Sequence, residues 1–179
     1  MITIIFESHA TTVDNEARIA SGLNDVALSS RGIEQARQLG QRYKNEEFDV
    51  IFCSALERSY QTAKIAFADR QCAIVCDARL NECNYGQFNG SPASQVESLK
   101  AQHIDRPFPQ GDSYLEMSQR IKSFLVDLLK MPDARKVMII GHRATQYGLE
   151  HWIHGVPLQK AVLDPWQWQP GWTYRLSQV

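Results

Sequence analysis

Two histidines stand at comparable places in this chain. His9 follows the β-branched and aromatic run Met1 to Phe6, and His142 follows the apolar run Val137 to Ile140. Between them, Ser54 to Arg58 follow a third such run, Asp49 to Cys53. An imidazole with an ordinary pKa of about 6.5 is neutral and nucleophilic near neutral pH, and phosphorus is a natural electrophile for it. Attack by His9 would give a phosphohistidine, provided cations and fixed N–H groups surround the phosphoryl oxygens and an acid protonates the departing alkoxide. Either histidine taken singly is compatible with a loop or cap residue. What sets the pair apart is that three strand ends deliver both rings, together with Arg58, to one rim.

The other histidines lack such positions. His151 and His154 fall near a helix C-terminus, where positive charge is tolerated, and His103 follows no strand. No third and fourth ligand at suitable spacing joins His9 and His142, so neither a metal site nor a cofactor is expected.

The elements that must position these residues read as alternating strands and helices. After the first strand, Ile33, Ala36, Leu39 and Tyr43 recur at helical spacing behind candidate caps Ser29 and Ser30. Arg58 to Ala68 predicts a helix with Tyr60, Ala63 and Phe67 on one face, followed by a short strand at Ala73 to Cys76. Asp77 to Gly111 is a long connection punctuated by Gly and Pro, with a short helix capped by Ser91 and carrying Pro92 at its first position. A helix from about Ser113 to Lys130, a strand at Lys136 to Ile140 and a helix from His142 to Gly155 come next, and Trp172 to Leu176 can supply a last strand. The order predicts an α/β fold: a three-layer α/β/α sandwich around a mostly parallel sheet. In such sheets ligands bind beyond the carboxyl ends of the strands, where His9 and His142 lie.

With 179 residues the chain fits one domain spanning residues 1–179, since about 100 to 200 residues per domain is usual. Its 19 Lys and Arg nearly balance 20 Asp and Glu, which provides no basic field for nucleic acid and no polybasic patch for a membrane. The expected ligand is therefore small. Cys53, Cys72, Cys76 and Cys83 form no CxxC pair and no secretory signal precedes them, so reduced thiols and a cytoplasmic location are expected. No apolar run approaches the roughly 20 residues that span a bilayer.

Several segments carry a family resemblance. Glu7-Ser8-His9-Ala10-Thr11-Thr12, the stretch from Ser54 to Ala63 with Arg58 at its centre, and Gly141-His142 resemble the histidine phosphatase, or phosphoglycerate mutase-like, superfamily. Leu80-Asn81-Glu82 with Gly86 and Gly90 is similar to its acid-bearing segment, and Pro109-Gln110-Gly111-Asp112-Ser113 to its proline-glycine-acid-serine turn. The resemblance runs nearly end to end and rests on the order and spacing of the segments. It implies that His9 accepts a phosphoryl group and that Arg58 and His142 hold its oxygens. It further implies that Asn15 adds an amide hydrogen bond, with Thr12 beside it, and that Glu82 is the general acid and then the base for water. Residues 83–111, and Gln87 to Gln110 in particular, become the lid and specificity segment. A small phosphorylated molecule is the implied substrate, handled by a monomer or homodimer.

The chain departs from the pattern at the nucleophile, where arginine-histidine-glycine is replaced by Ser8-His9-Ala10. A hydrogen bond to a charged group contributes about 1.5 to 3 kcal/mol, so an uncompensated loss weakens phosphate stabilisation roughly ten- to hundred-fold. Glu7, if it faced the pocket, would add to the loss. Arg143, where the family usually has glycine, sits at a helix start and is the expected replacement guanidinium. The aromatic tail Pro165 to Trp172 reads first as packing anchors, with substrate choice or a dimer contact as the alternatives. Three readings follow: a phosphatase, preferred because the chain is compact; a phospho-ligand binding module without turnover; and a phosphomutase, which must shield its phosphohistidine from water.

Overall fold

The computed structural model describes residues 1–179. The alternating apolar pattern of the N-terminus forms β1 (Ile2–Ser8), and a single helical turn, α1 (Val13–Glu16), and a two-residue strand, β2 (Ile19–Ala20), follow. Ser29 caps α2 (Ser30–Arg42) by accepting the Gly32 N–H, which leads to β3 (Val50–Cys53), α3 (Glu57–Ala66) and β4 (Ala73–Cys76). The long connection holds β5 (Ser91–Pro92) and α4 (Ala93–Leu99). Ser113 and Glu116 form the reciprocal cap of α5 (Tyr114–Leu129), and β6 (Lys136–Gly141) then runs into α6 (Arg143–His154). Gly155, at φ +69°, ends α6 in the left-handed conformation that glycine adopts at least cost. The chain finishes with α7 (Leu158–Leu163) and β7 (Trp172–Leu176).

Five strands form one sheet in the order β4-β3-β6-β1-β7. The first four are parallel, and β7 closes the edge antiparallel to β1, with Phe6 opposite Trp172. This is the expected mostly parallel sheet with helices on both faces. The period of two decides which residue serves which face. Val137 and Ile139 of β6 point with Ile2, Ile4 and Phe6 into a core filled by α5 and α6, including Met117, Ile121, Phe124, Ala144 and Leu149. Met138 and Ile140 point the other way, against Leu39 of α2 and Ala63 of α3. Central strands buried on both faces have no room for polar side chains until they end, which is why β1, β3 and β6 release theirs at one rim.

Two expectations need correction. Ser91 and Pro92 do not start a helix; they pair with Ala20 and Ile19 as a small antiparallel sheet, and α4 begins one residue later behind Pro92. Proline lacks an N–H and is tolerated on such a short edge, where no donor is required of it. Tyr60 does not share the buried face of α3 and is exposed, because the packed face is set by Ser59, Thr62 and Ala63. All four cysteines are free thiols, with Cys53 and Cys76 opposite each other in the β3–β4 register and their sulfurs 3.4 Å apart. No helix is long and apolar enough to cross a membrane.

Candidate active site

The loop bearing His9 begins where β1 runs out of pairing partners. The His9 N–H donates to the Gly141 carbonyl, Ala10 N–H donates to the Thr62 hydroxyl of α3, and Thr11 N–H donates to Gln35 Oε1 of α2. The Thr62 hydroxyl in turn donates to the carbonyl of Arg58. One helix thus fixes both the loop bearing His9 and the backbone of the arginine beside it. Close approach completes the fixation: a Cβ on Gly32 would lie 1.9 Å from the Thr11 carbonyl oxygen.

The tautomer of His9 follows from its one side-chain contact. Nδ1 lies 2.8 Å from the Ala10 carbonyl oxygen, which can only accept, so Nδ1 carries the proton and the lone pair resides on Nε2. Burial, reinforced by the charge of Arg58, lowers the pKa of His9 to about 3, against the opposing pull of the Ala10 carbonyl. The ring is accordingly neutral near pH 7. Its centroid lies 4.9 Å from that of His142.

His142 follows β6 directly, as the cap of α6, and is buried. Its backbone N–H donates to Thr145 Oγ1, whose hydroxyl donates to the Leu80 carbonyl. Nε2 lies 2.7 Å from Ser54 Oγ at the end of β3, and Nδ1 has no partner. The Ser54 oxygen already accepts the Leu56 N–H. We assign its proton to His142 Nε2, which leaves the ring proton on Nδ1. Burial first, then the charges of Arg58 and His9, push the His142 pKa well below its ordinary value. A buried donor left unsatisfied costs about 1 to 3 kcal/mol, a cost that an anion beside it would remove.

Arg58 is almost wholly buried, and its Nη1 and Nη2 donate to the carbonyls of Asn24 (2.9 Å) and Gly22 (2.7 Å). These two bonds set the plane of the guanidinium and leave other N–H groups for a ligand. Burial lowers its pKa, and the negative charges of Glu82 and Asp25 oppose that shift. Glu82 lies past a short helical turn at Ala78–Leu80 and is tied by one oxygen, which accepts the Cys83 N–H at 2.8 Å. His9, Arg58, Glu82, Asn15 and Arg143 all line one cavity of about 1010 Å³, whereas His142 is buried against the His9 ring and does not line it.

Asn15 uses its carbonyl oxygen to cap the Thr12 N–H, so its amide N–H groups remain free. Thr12 itself does not line the cavity: it is fully buried, its hydroxyl accepting the Asn15 N–H as the cap of α1. It holds Asn15 in place and offers no group to a ligand. Arg143 stands on the rim, its guanidinium 4.6 Å from the Trp166 ring centroid and 3.8 Å from Glu97. Glu7 lines the cavity but is neutralised, since one carboxylate oxygen accepts from both Arg42 Nη1 and the Tyr43 hydroxyl at 2.7 Å. Ser54, Thr62 and Lys100 escaped sequence reasoning. Lys100 lies in the long connection before α5, buried, with Nζ 3.0 Å from the Tyr147 hydroxyl and from Glu97. A small polar residue at a strand end was the only signal for Ser54, and a helical spacing of four from Arg58 the only one for Thr62.

Known proteins share this arrangement of elements. The model of the histidine phosphatase superfamily (branch 1) matches residues 4–167. A protein of Erwinia tasmaniensis named probable phosphoglycerate mutase GpmB is 32% identical over 165 residues, covering 88% of this chain and 77% of its own. Among solved structures, the alpha-ribazole phosphatase from Shigella flexneri superposes with a TM-score of 0.79 at 25% identity, over 89% of this chain and 83% of that one. YhfR of Bacillus stearothermophilus superposes with a TM-score of 0.81 at 24% identity, over 94% and 87%. A family match running from the first strand to the tryptophan tail, over a sheet whose adjacent strand ends gather two imidazoles and a buried guanidinium, places this chain in the histidine phosphatase superfamily.

Proposed function

We propose that the protein hydrolyses a phosphate monoester through a phosphohistidine on His9. The observation that carries this reading is the hydrogen bond from His9 Nδ1 to the Ala10 carbonyl, which leaves Nε2 unprotonated and free at the cavity. In the first step Nε2 bonds to phosphorus and the bond to the ester oxygen breaks, with Glu82 giving its proton to the departing alkoxide. In the second, the Glu82 carboxylate takes a proton from water, the oxygen of which attacks phosphorus as the bond to Nε2 breaks and inorganic phosphate forms. Arg58, His142 Nδ1–H and the Asn15 amide hold the phosphoryl oxygens, where charge accumulates in transfer. Arg143, at the start of α6, supplies the further guanidinium once an anion draws it from Trp166. No metal or cofactor enters these steps.

A mutase reading draws on the name of the Erwinia tasmaniensis relative. Hydrolysis is favoured because the cavity is large and rimmed by exposed groups, including Asn15 and Arg143, which gives water access to the phosphohistidine. Incubation with p-nitrophenyl phosphate tests the proposal. The parent protein should release phosphate and form an acid-labile phosphoenzyme, and His9→Ala should do neither. Equal background from both would leave a binding module, whereas isomerisation of a phosphoglycerate without phosphate release would favour the mutase.

A further inference from the structure

The cavity does not end at the phosphate-binding groups. Beside the nucleophile, Ser8 is a small side chain, and the cavity continues past it along α2 to the C-terminal tail. Gln35, Gln38, Leu39 and Arg42 of α2 and Trp168 of the tail all line this flank. It has no role in the two transfer steps.

Its chemistry is specific. Trp168 leaves 56% of its surface exposed, whereas Trp152, Trp166 and Trp172 are all partly buried. Burying an indole face is favourable, so an open face at the mouth of a cavity is a place where a flat apolar group gains most by binding. Arg42 cannot swing away, because Glu7 holds its Nη1 and the buried carboxylate is fixed again by Tyr43. Its guanidinium carbon lies 5.8 Å from the Trp168 ring centroid, so the slot has an aromatic wall and a cationic one. The two glutamines, three residues apart on one face of α2, are each half used. Gln35 Oε1 accepts the Thr11 N–H, leaving its amide N–H groups, and Gln38 Nε2 donates to Glu34, leaving its carbonyl oxygen. An unused donor and an unused acceptor thus flank the aromatic wall.

We infer that this flank, between Trp168 and the Gln35–Gln38 face of α2, binds a planar heteroaromatic ring carried by the alcohol portion of the substrate. The indole stacks on the ring, and the glutamine pair reads a donor and an acceptor on its edge. A sugar or a simple aliphatic alcohol offers no flat face and leaves the indole in water. The assignment rests on His9 being the phosphoryl acceptor, since that fixes which end of the substrate reaches into the slot.

Calorimetric titration with AMP and with ribose 5-phosphate, which differ by the base, isolates the slot, and released phosphate is assayed in the same samples. The parent protein should bind AMP at least roughly tenfold more tightly, in keeping with base stacking on an aromatic side chain. In Trp168→Ala the ratio between the two ligands should fall toward one, and Trp168→Phe should restore part of it. Equal affinities in the parent, a ratio unmoved in Trp168→Ala, or no binding of either ligand would overturn the slot. Phosphate release from both esters without a preference would overturn the slot alone. A preference for AMP without any phosphate release would overturn hydrolysis and leave the slot standing.

Discussion

His142 Nε2 and Ser54 Oγ lie 2.7 Å apart across the ends of β6 and β3, and this contact decides which nitrogen of His142 carries the proton. Ser54→Ala removes the partner of Nε2 and frees the ring to take the other tautomer. We expect kcat to fall about ten- to hundred-fold, the usual worth of a hydrogen bond to a charged group, with the fold unchanged. Steady-state kinetics on an aryl phosphate checks this; a kcat equal to that of the parent would show that Ser54 does not orient the ring.

Arg58 and Arg143 should differ in what their loss does. Arg58 also secures the carbonyls of Gly22 and Asn24, so Arg58→Ala should lower kcat by about a hundred- to thousand-fold and reduce thermal stability as well. Arg143→Ala, at the exposed rim, should leave the melting temperature alone and weaken inorganic phosphate binding roughly tenfold. Unaltered phosphate affinity in Arg143→Ala would remove it from the site.

The two histidines predict an acid-side loss of stability. Folded His9 has its pKa lowered to about 3 and folded His142 well below its ordinary value, while each takes up a proton near pH 6.5 in the unfolded chain. Between those limits the unfolded state binds more protons, so stability falls as pH drops below about 6.5. Melting curves from about pH 7.5 to 4.5 should slope accordingly, and His142→Asn should flatten them. Imidazole NMR signals of either ring titrating with a midpoint near the ordinary value would contradict this.

Removing Arg42 should cost more than removing the charge of Glu7. Arg42→Ala leaves the Glu7 carboxylate buried with Tyr43 and the Gly171 backbone as its partners, a loss of about 3 kcal/mol at neutral pH by analogy with broken buried pairs. Burial already raises the Glu7 pKa, so the variant can relieve the charge by taking up a proton. The penalty should therefore shrink as the solution is acidified. Denaturant unfolding at two pH values distinguishes this from a pH-independent loss of packing.

Gly32→Ala tests how tightly α2 must approach the loop that bears His9. Because the obstructing atom is a backbone oxygen, the helix must shift, at a cost of about 1 to 3 kcal/mol, and His9 moves with the loop. Lower kcat in protein that remains folded is the expected result; full activity would mean that the loop tolerates displacement.

Much of this was legible in the residues, for reasons that differ by element. Val137 to Ile140 announce a strand buried on both sides, and the helix expected from about Ser113 is α5, with Ser113 as its cap. His9, Arg58 and His142 were legible because an apolar strand must release its polar groups where it ends. The pairing of Ile19 and Ala20 with Pro92 and Ser91 was not, since two residues carry no period. Nor was the place of Thr12, whose hydroxyl suits a ligand and a helix cap equally. Glu7 reads as an anomaly in an apolar strand until α2 brings Arg42 and Tyr43 to it, a contact that no local pattern encodes.

The position of β1 between β6 and β7 has a temporal consequence. β1, which leads to His9, is made well before β6 and β7, the two strands that hold it in register. Such distant pairings are slow to form, because a long loop must close before any contact rewards it. The arrangement around His9 therefore assembles only after β6 and β7 have been made, and an unpaired β1 must meanwhile avoid pairing elsewhere.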